Sequence, residues 1–266
     1  VKRVLTALIL LPLFLLAVVA PNPLVFEALV MAAAVLCAAE MERIVAATGV
    51  QPFPFLGSLW AVGLLFCAAW PEAFRLDSVL AAGLLACVGF GLWGRVPLSG
   101  VLTSSATALF TALYVGYFLG YVIKVRTLGD PLGARLIFLM ALVVWAGDSA
   151  AYYVGSAFGR HKLAPAVSPG KTWEGAAANV AGGLLGAAVA RWTFFADLEW
   201  RHALALGLLL SVVGQLGDLF ESAIKRGAGV KDSGALLPGH GGFLDRLDSL
   251  IVSGPALFYY YQAFMR

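Results

Sequence analysis

Long apolar runs bounded by charged residues or by Pro and Gly recur along this 266-residue chain, at 4–20, 24–40, 54–70, 78–94, 105–123, 136–154, 175–195, 203–224 and 249–265. A hydrocarbon layer roughly 30 Å thick takes about 20 apolar residues of α-helix to cross, so runs of this length read as spans. They carry no alternation of apolar and polar residues, which sets aside the strands of a membrane barrel. Only 12% of the residues are charged against 61% hydrophobic, too little polar surface to clothe a globule in water. The expected fold is an all-α integral membrane protein, a polytopic bundle of about nine transmembrane helices.

An odd number of spans puts the termini on opposite sides and sets loops 155–174 and 225–248 on the N-terminal side. That side carries eleven Lys and Arg (Lys2, Arg3, Arg43, Arg95, Arg160, Lys162, Lys171, Lys225, Arg226, Lys231, Arg246) against six on the other (Arg75, Lys124, Arg126, Arg135, Arg201, Arg266). The positive-inside rule makes the eleven-cation side cytoplasmic. Lys2-Arg3 before an apolar run ending Ala17-Val-Val-Ala20 has the outline of a signal peptide, but Pro21 follows the cleavage position and the run is long enough to span. A span is therefore expected. Cys37, Cys67 and Cys87 fall inside apolar runs without metal-ligand spacing and read as packing residues. One membrane domain results, with residues 1–100 as scaffold or dimer-forming helices and 101–266 carrying the cytoplasmic-side loops. Chemistry is expected after about residue 135, where charges enter the helices.

An ionisable group inside a span costs at least about 2.5 kcal/mol on insertion scales, so it faces a cavity, a partner or a ligand. Asp148 lies within Trp145-Ala-Gly-Asp-Ser-Ala-Ala-Tyr-Tyr153, and the eighth run carries Gln215, Asp218, Glu221, Ser222 and Lys225. Positions 215, 218, 222 and 225 line one helix face. Two readings fit this stripe: a polar seam in which Asp218 pairs with Lys225 or an arginine, or a metal site built from Asp218 and Glu221 beside Asp245. Asp148, among small residues, either bonds locally or joins the site. Tyr152, Tyr153 and the Arg191-Trp192 pair read as interfacial belt residues.

The segment Ser168-Pro-Gly-Lys171-Thr172-Trp-Glu174-Gly175 resembles a nucleotide P-loop only in part, because Pro165 stands where that pattern needs its first glycine. What remains is a Ser-Pro-Gly turn, then Lys171 and Thr172 entering the next helix, where backbone N–H groups favour an anion. A capping turn with a solvated lysine is the plainer alternative. The interval 222–248 is denser: Lys225, Arg226, Lys231 and Arg246, with Asp232, Asp245, Asp248 and His240 among glycines, is the set a nucleotide triphosphate and its metal require. Gly239, Gly241 and Gly242 let backbone approach phosphate oxygens, and His240 can donate to them. Asp245 and Asp248 open the last helix, as metal ligands or as its N-terminal caps. His161 and His202 have no such context. Gly116-x-x-x-Gly120 and Gly182-x-x-x-Gly186 read as helix-packing seams, between protomers or within the chain.

At these residues the chain resembles the phosphatidate cytidylyltransferases, or CDP-diglyceride synthases. Their signature Ser-x-apolar-Lys-Arg-x4-Lys-Asp, a glycine-containing spacer and Pro/Gly-x-His-Gly-Gly-x-x-Asp-Arg-x-Asp runs from Ser222 to Asp248, and Ser168–Gly175 resembles a second family element. The likeness is strong over roughly residues 145–250 and general before that. It implies CMP transfer from CTP to phosphatidic acid with release of pyrophosphate, Mg²⁺ dependence with two metals or one beside a monovalent cation, a homodimer, and a place in the cell's inner membrane with the site facing the cytoplasm. On that resemblance Asp218, Asp245, Asp248, Glu221 and Asp148 are assigned to metal. Lys225, Arg226, Lys231, Asp232, His240 and Arg246 form the catalytic group, and Ser168, Lys171, Thr172, Ser222, Gly239, Gly241 and Gly242 bind substrate phosphates. No nucleic-acid partner is expected.

Two other functions suit the same residues. A CTP-dependent kinase of a lipid alcohol would transfer the γ-phosphate and release CDP, with His240 or an aspartate as its base. A carrier of an anionic lipid or ion would use the intramembrane carboxylates as coupling groups.

Overall fold

The computed structural model describes residues 2–94, 96–234 and 241–266, with side chains from Leu8 onward. Arg95, Gly239 and His240, named above for their charge or phosphate-binding roles, lie outside the described residues. The helices are α1 (Lys2–Val19), α2 (Pro23–Ala46), α3 (Leu56–Ala69), α4 (Leu76–Trp93), α5 (Val101–Thr111), α6 (Phe118–Arg126), α7 (Leu132–Phe158), α8 (Trp173–Thr193), α9 (Trp200–Gly227) and α10 (Leu244–Phe264). Each apolar run of the sequence falls on one of them, the run 105–123 covering α5, a π-helical turn at Ala112–Tyr117 and α6 as one continuous rod. Among the described residues, five rods are long and apolar enough to cross a membrane: α2, α4, residues 98–126, α7 and α9. The protein is an all-α polytopic membrane protein.

The chain divides into two compact units. The first comprises Val1–Thr127 with Ile224–Leu247. Asn22 caps α2 by accepting the Leu24 N–H at 3.0 Å, with Pro23 in the first turn. At the C-terminal end of α1, just before this cap, the buried Arg126 donates to the carbonyls of Val18 (2.8 Å) and Ala20 (3.3 Å), satisfying acceptors a terminating helix leaves open. Phe53, Leu56, Trp60, Leu64, Cys87, Ala108 and Ala112 form an apolar core where α3, α4 and α5 meet. Gly116 lets the π turn touch α3 backbone to backbone, since a Cβ there would lie 2.5 Å from the Ala61 carbonyl oxygen. The Gly116/Gly120 seam is thus internal to the chain.

The second unit, Leu128–Ala223 with Asp248–Arg266, is stitched in the same way. Gly175, Asn179, Gly182 and Gly186 share one face of α8 and lie against α7; Cβ atoms on Gly182 and Gly186 would stand 2.7 and 3.0 Å from the carbonyl oxygens of Ala146 and Leu142. This second seam also packs helices of one chain. Gly183 receives Ser211 of α9, and Gly217 brings α9 onto α10 at the Asp248 carbonyl.

Between α7 and α8 the structure departs from the sequence reading. Residues 168–172 are not a turn: Ser168–Thr172 is a strand (β2) paired antiparallel with Lys162–Ala164 (β1). Ser, Pro and Gly have little strand propensity of their own, so the pairing holds the segment extended. Thr172, the last residue of β2, also caps α8 by accepting the Gly175 N–H at 3.1 Å. Glu174 then reaches back to the start of the hairpin, bonding the His161 ring at 2.6 Å and the N–H groups of Arg160 and His161.

The His161 hydrogen bond, more than the backbone N–H groups beside it, holds the Glu174 carboxyl down to about 2 from 4.5. A carboxyl depressed on folding stabilises above its unfolded value, so this tether is complete above pH 4.5 and is lost as the pH falls toward about 2. In His161→Ala, NMR titration of the Glu174 carboxyl should move up toward 4.5; an unmoved titration would assign the depression to the backbone donors. Gly182→Val should destabilise the protein by about 1–3 kcal/mol through overpacking, while Gly89→Ala, whose Cβ meets nothing within 4 Å, should be neutral or stabilising in thermal unfolding in detergent.

Candidate functional site

In the second unit, Lys171 on β2 places its Nζ 2.6 Å from Asp218 Oδ2 on α9. The end of β2 sets this up: Thr172 turns into its cap on α8 while Lys171 reaches α9. Asp218 Oδ1 also accepts a long bond from Ser222 one turn on, at 3.4 Å. The polar-seam reading pairs Asp218 with Lys225 or an arginine; the cation that pairs with it is instead the hairpin lysine.

More carboxylates gather on this unit. Asp248 is buried at the start of α10, beside the contact that Gly217 opens, and Asp218, Glu221 and Asp148 all lie within electrostatic reach of it. Glu221 is buried on α9. Asp148 on α7 accepts from Asn179 Nδ2 at 3.2 Å, a bond made possible by Gly147, which leaves room for Asn179 against α7. Asn179 was not a sequence candidate; its one cue was a buried-type amide among the glycines of an apolar helix.

A second cluster belongs to the first unit. Lys225 at the end of α9 lies 2.6 Å from Asp245 Oδ1, both side chains nearly buried. Asp245 Oδ2 also accepts the N–H groups of Gly242 (2.8 Å) and Ser233 (3.1 Å). Gly241 carries a positive φ of 81°, and a Cβ on it would strike the Asp245 carboxylate, so only glycine lets this turn close. Beneath the turn lies Glu40 of α2, bonded to Ser233, Phe243 and Leu244. Neither Glu40 nor Ser233 stood out in the sequence. A carboxylate at the end of an otherwise apolar run was the available signal for Glu40. Arg226, Lys231, Asp232 and Arg246 are exposed, and Ser168 and Ser222 are half-buried.

The second unit can bind an anion through Lys171 and hold a hard cation through its carboxylate oxygens; the first offers anions Lys225, balanced by Asp245, and the exposed Arg226, Lys231 and Arg246. Among the described residues no three His, Cys, Asp or Glu side chains form a ready metal cage. Mg²⁺ asks for less, about one or two carboxylates, and completes its shell with water and phosphate oxygens. Buried Asp248, with three further carboxylates in reach, is a concentration of like charge that a divalent cation relieves, so the donor set fits Mg²⁺ arriving with a phosphate ligand.

Comparison with known proteins extends this from local geometry to the chain. It is 45% identical over 137 residues to a phosphatidate cytidylyltransferase of Bacillus subtilis, covering 52% of this chain and 51% of that protein. To the Haemophilus influenzae protein of the same name it is 35% identical over 216 residues, covering 77% and 66%. To that of Brucella suis biovar 1 it is 50% identical over 133 residues, covering 48% and 47%. Less than two thirds of each relative's length is thus spanned. The model of the Cytidylyltransferase family matches residues 1–264, taking in the N-terminal helices as well as the polar loops, and the chain belongs to that family.

Proposed function

We propose that this protein transfers CMP from CTP to phosphatidic acid, giving CDP-diacylglycerol and pyrophosphate. The observation that carries the reading is the Lys171–Asp218 pair at 2.6 Å beside Asp148, Glu221 and Asp248: a phosphate-seeking cation and a set of metal-seeking carboxylates on one unit of a membrane protein.

The chemistry suits these residues. A phosphate oxygen of phosphatidate attacks the α-phosphorus of CTP; the new P–O bond forms as the bond from that phosphorus to the bridging oxygen breaks, and pyrophosphate carries the electron pair away. The nucleophile is already anionic near neutral pH, so no strong base is needed, and repulsion between anions is the obstacle. On the second unit Lys171 is the cation that would offset that repulsion; on the first, Lys225, Arg226, Lys231 and Arg246 are the cations proposed to bind phosphate. Asp218 and Asp248, with Glu221 and Asp148, are the residues that would hold Mg²⁺, which when bound neutralises charge on the nucleotide phosphates. A cytoplasm-facing site in the cell membrane, supported by the excess of cations on that side, and a homodimer belong to the same proposal.

Purified protein in detergent, given phosphatidic acid, Mg²⁺ and CTP labelled at the α- or γ-phosphate, tests it directly. α-Label in lipid with pyrophosphate release is the expected result. γ-Label in an added lipid alcohol with CDP release would replace the proposal with the kinase, and transfer of neither label would overturn it. Asp218→Asn should lower turnover by roughly 10²–10³-fold with the fold retained; near-normal turnover would remove Asp218 from the site. Lys171→Ala should raise the apparent KM for CTP or phosphatidate about tenfold, the scale of one charge-assisted contact; an unchanged saturation curve would leave Lys171 a structural partner of Asp218.

A further inference from the structure

We infer that Glu40, on the second helix, is a positioning residue for the Lys225–Asp245 pair, taking over the N-terminus of α10 so that Asp245 is left to hold Lys225. The role of that pair in binding phosphate rests on the function proposed above; the clamp itself does not.

A helix begins with N–H groups that have no partner along the helix, and a Ser, Thr, Asp or Asn at the cap position normally supplies an acceptor. At the start of α10 that position is Phe243, which has none to offer. The nearby acidic side chain, Asp245, is turned back onto Gly242 N–H, Ser233 N–H and Lys225. The missing acceptor comes from α2, about 200 residues away in sequence: Glu40 Oε1 accepts Phe243 N–H at 3.0 Å and Oε2 accepts Leu244 N–H at 2.9 Å. Oε2 also accepts the Ser233 hydroxyl at 2.8 Å, tying the incoming side of the loop to the same carboxylate.

The fit is closed on every side described. Glu40 is 0% exposed, and a Cβ on either Gly234 or Gly242 would collide with its carboxylate, so both glycines are spaces cut for it. Ser233 links the two carboxylates, donating its hydroxyl to Glu40 and its N–H to Asp245. Without Glu40, Phe243 and Leu244 N–H groups are unsatisfied next to Asp245, which already accepts the adjacent Gly242 N–H. Asp245 would then be drawn from Lys225 to the helix end.

Glu40→Gln preserves shape while setting an N–H₂ donor against donors. The test compares wild type, Glu40→Gln and Ser233→Ala as full chains in detergent. It follows amine labelling of Lys225 by mass spectrometry, with Lys124 of the same unit as reference, alongside thermal unfolding and, with CTP, phosphatidate and Mg²⁺, kcat and KM. The expected result is a several-fold faster labelling of Lys225 with Lys124 unchanged, and a fall in kcat of roughly 10–100-fold, the range typical of supporting-residue mutations, with Ser233→Ala smaller in the same direction. Unchanged Lys225 labelling in Glu40→Gln would overturn the inference. So would equal acceleration at Lys225 and Lys124 with a lowered Tm, which would make Glu40 a general stability residue. Selective labelling of Lys225 in a protein that makes no CDP-diacylglycerol would uphold the clamp and sink the proposed function instead.

Discussion

Close approach of helix backbones at glycine is the constraint on which the rest of this structure depends. In lipid the hydrocarbon is as apolar as the side chains, so helices gain little by burying leucine against leucine and must find contact through packing at short range. Gly182 and Gly186 set α8 on the carbonyls of α7, and Gly217 sets α9 on that of Asp248. Because the helices meet this closely, short side chains such as Asp148 and Asn179 touch across the seam, and Asp218 and Asp248 come within reach of each other. The chemistry of the second unit is a by-product of where the chain lacks Cβ atoms.

Each unit also solves one electrostatic problem locally. Charged groups among apolar helices are costly unless paired, and removing one partner strands the other. Lys171 and Asp218 balance each other in the second unit, Lys225 and Asp245 in the first. Neither pair is local along the chain: the first spans a strand and a helix, the second joins the end of α9 to the start of α10.

The spans and the polar interval 222–248 were legible in the sequence because both are carried by local composition: runs of apolar residues of a fixed length, and cations, carboxylates and glycines at fixed spacing. The partnering was not. One of the two readings of the α9 stripe pairs Asp218 with Lys225 or an arginine because of the shared helix face, and helix-face arithmetic ignores the hairpin that delivers Lys171 from another element. That hairpin was itself hidden, since Ser168-Pro-Gly has turn chemistry and becomes a strand only through pairing with Lys162–Ala164. Glu40 was passed over because it closes an apolar run, where a charge is ordinary; its three bonds come from residues some 200 positions away, a distance at which spacing carries no information.

Thr172 is both the last residue of β2 and the cap of α8, so no linker separates the strand from the helix. Along a strand side chains change sides at every residue, and along a helix each residue turns the next by about 100°. One residue inserted at this junction would put Lys171 on the far side of the hairpin or swing Gly175, Asn179, Gly182 and Gly186 off α7. Length here is a quantised quantity: the lysine and the glycine seam are geared together through Thr172, and the slack lies upstream, where the pairing of Ala164 with Ser168 and of Lys162 with Thr172 is irregular.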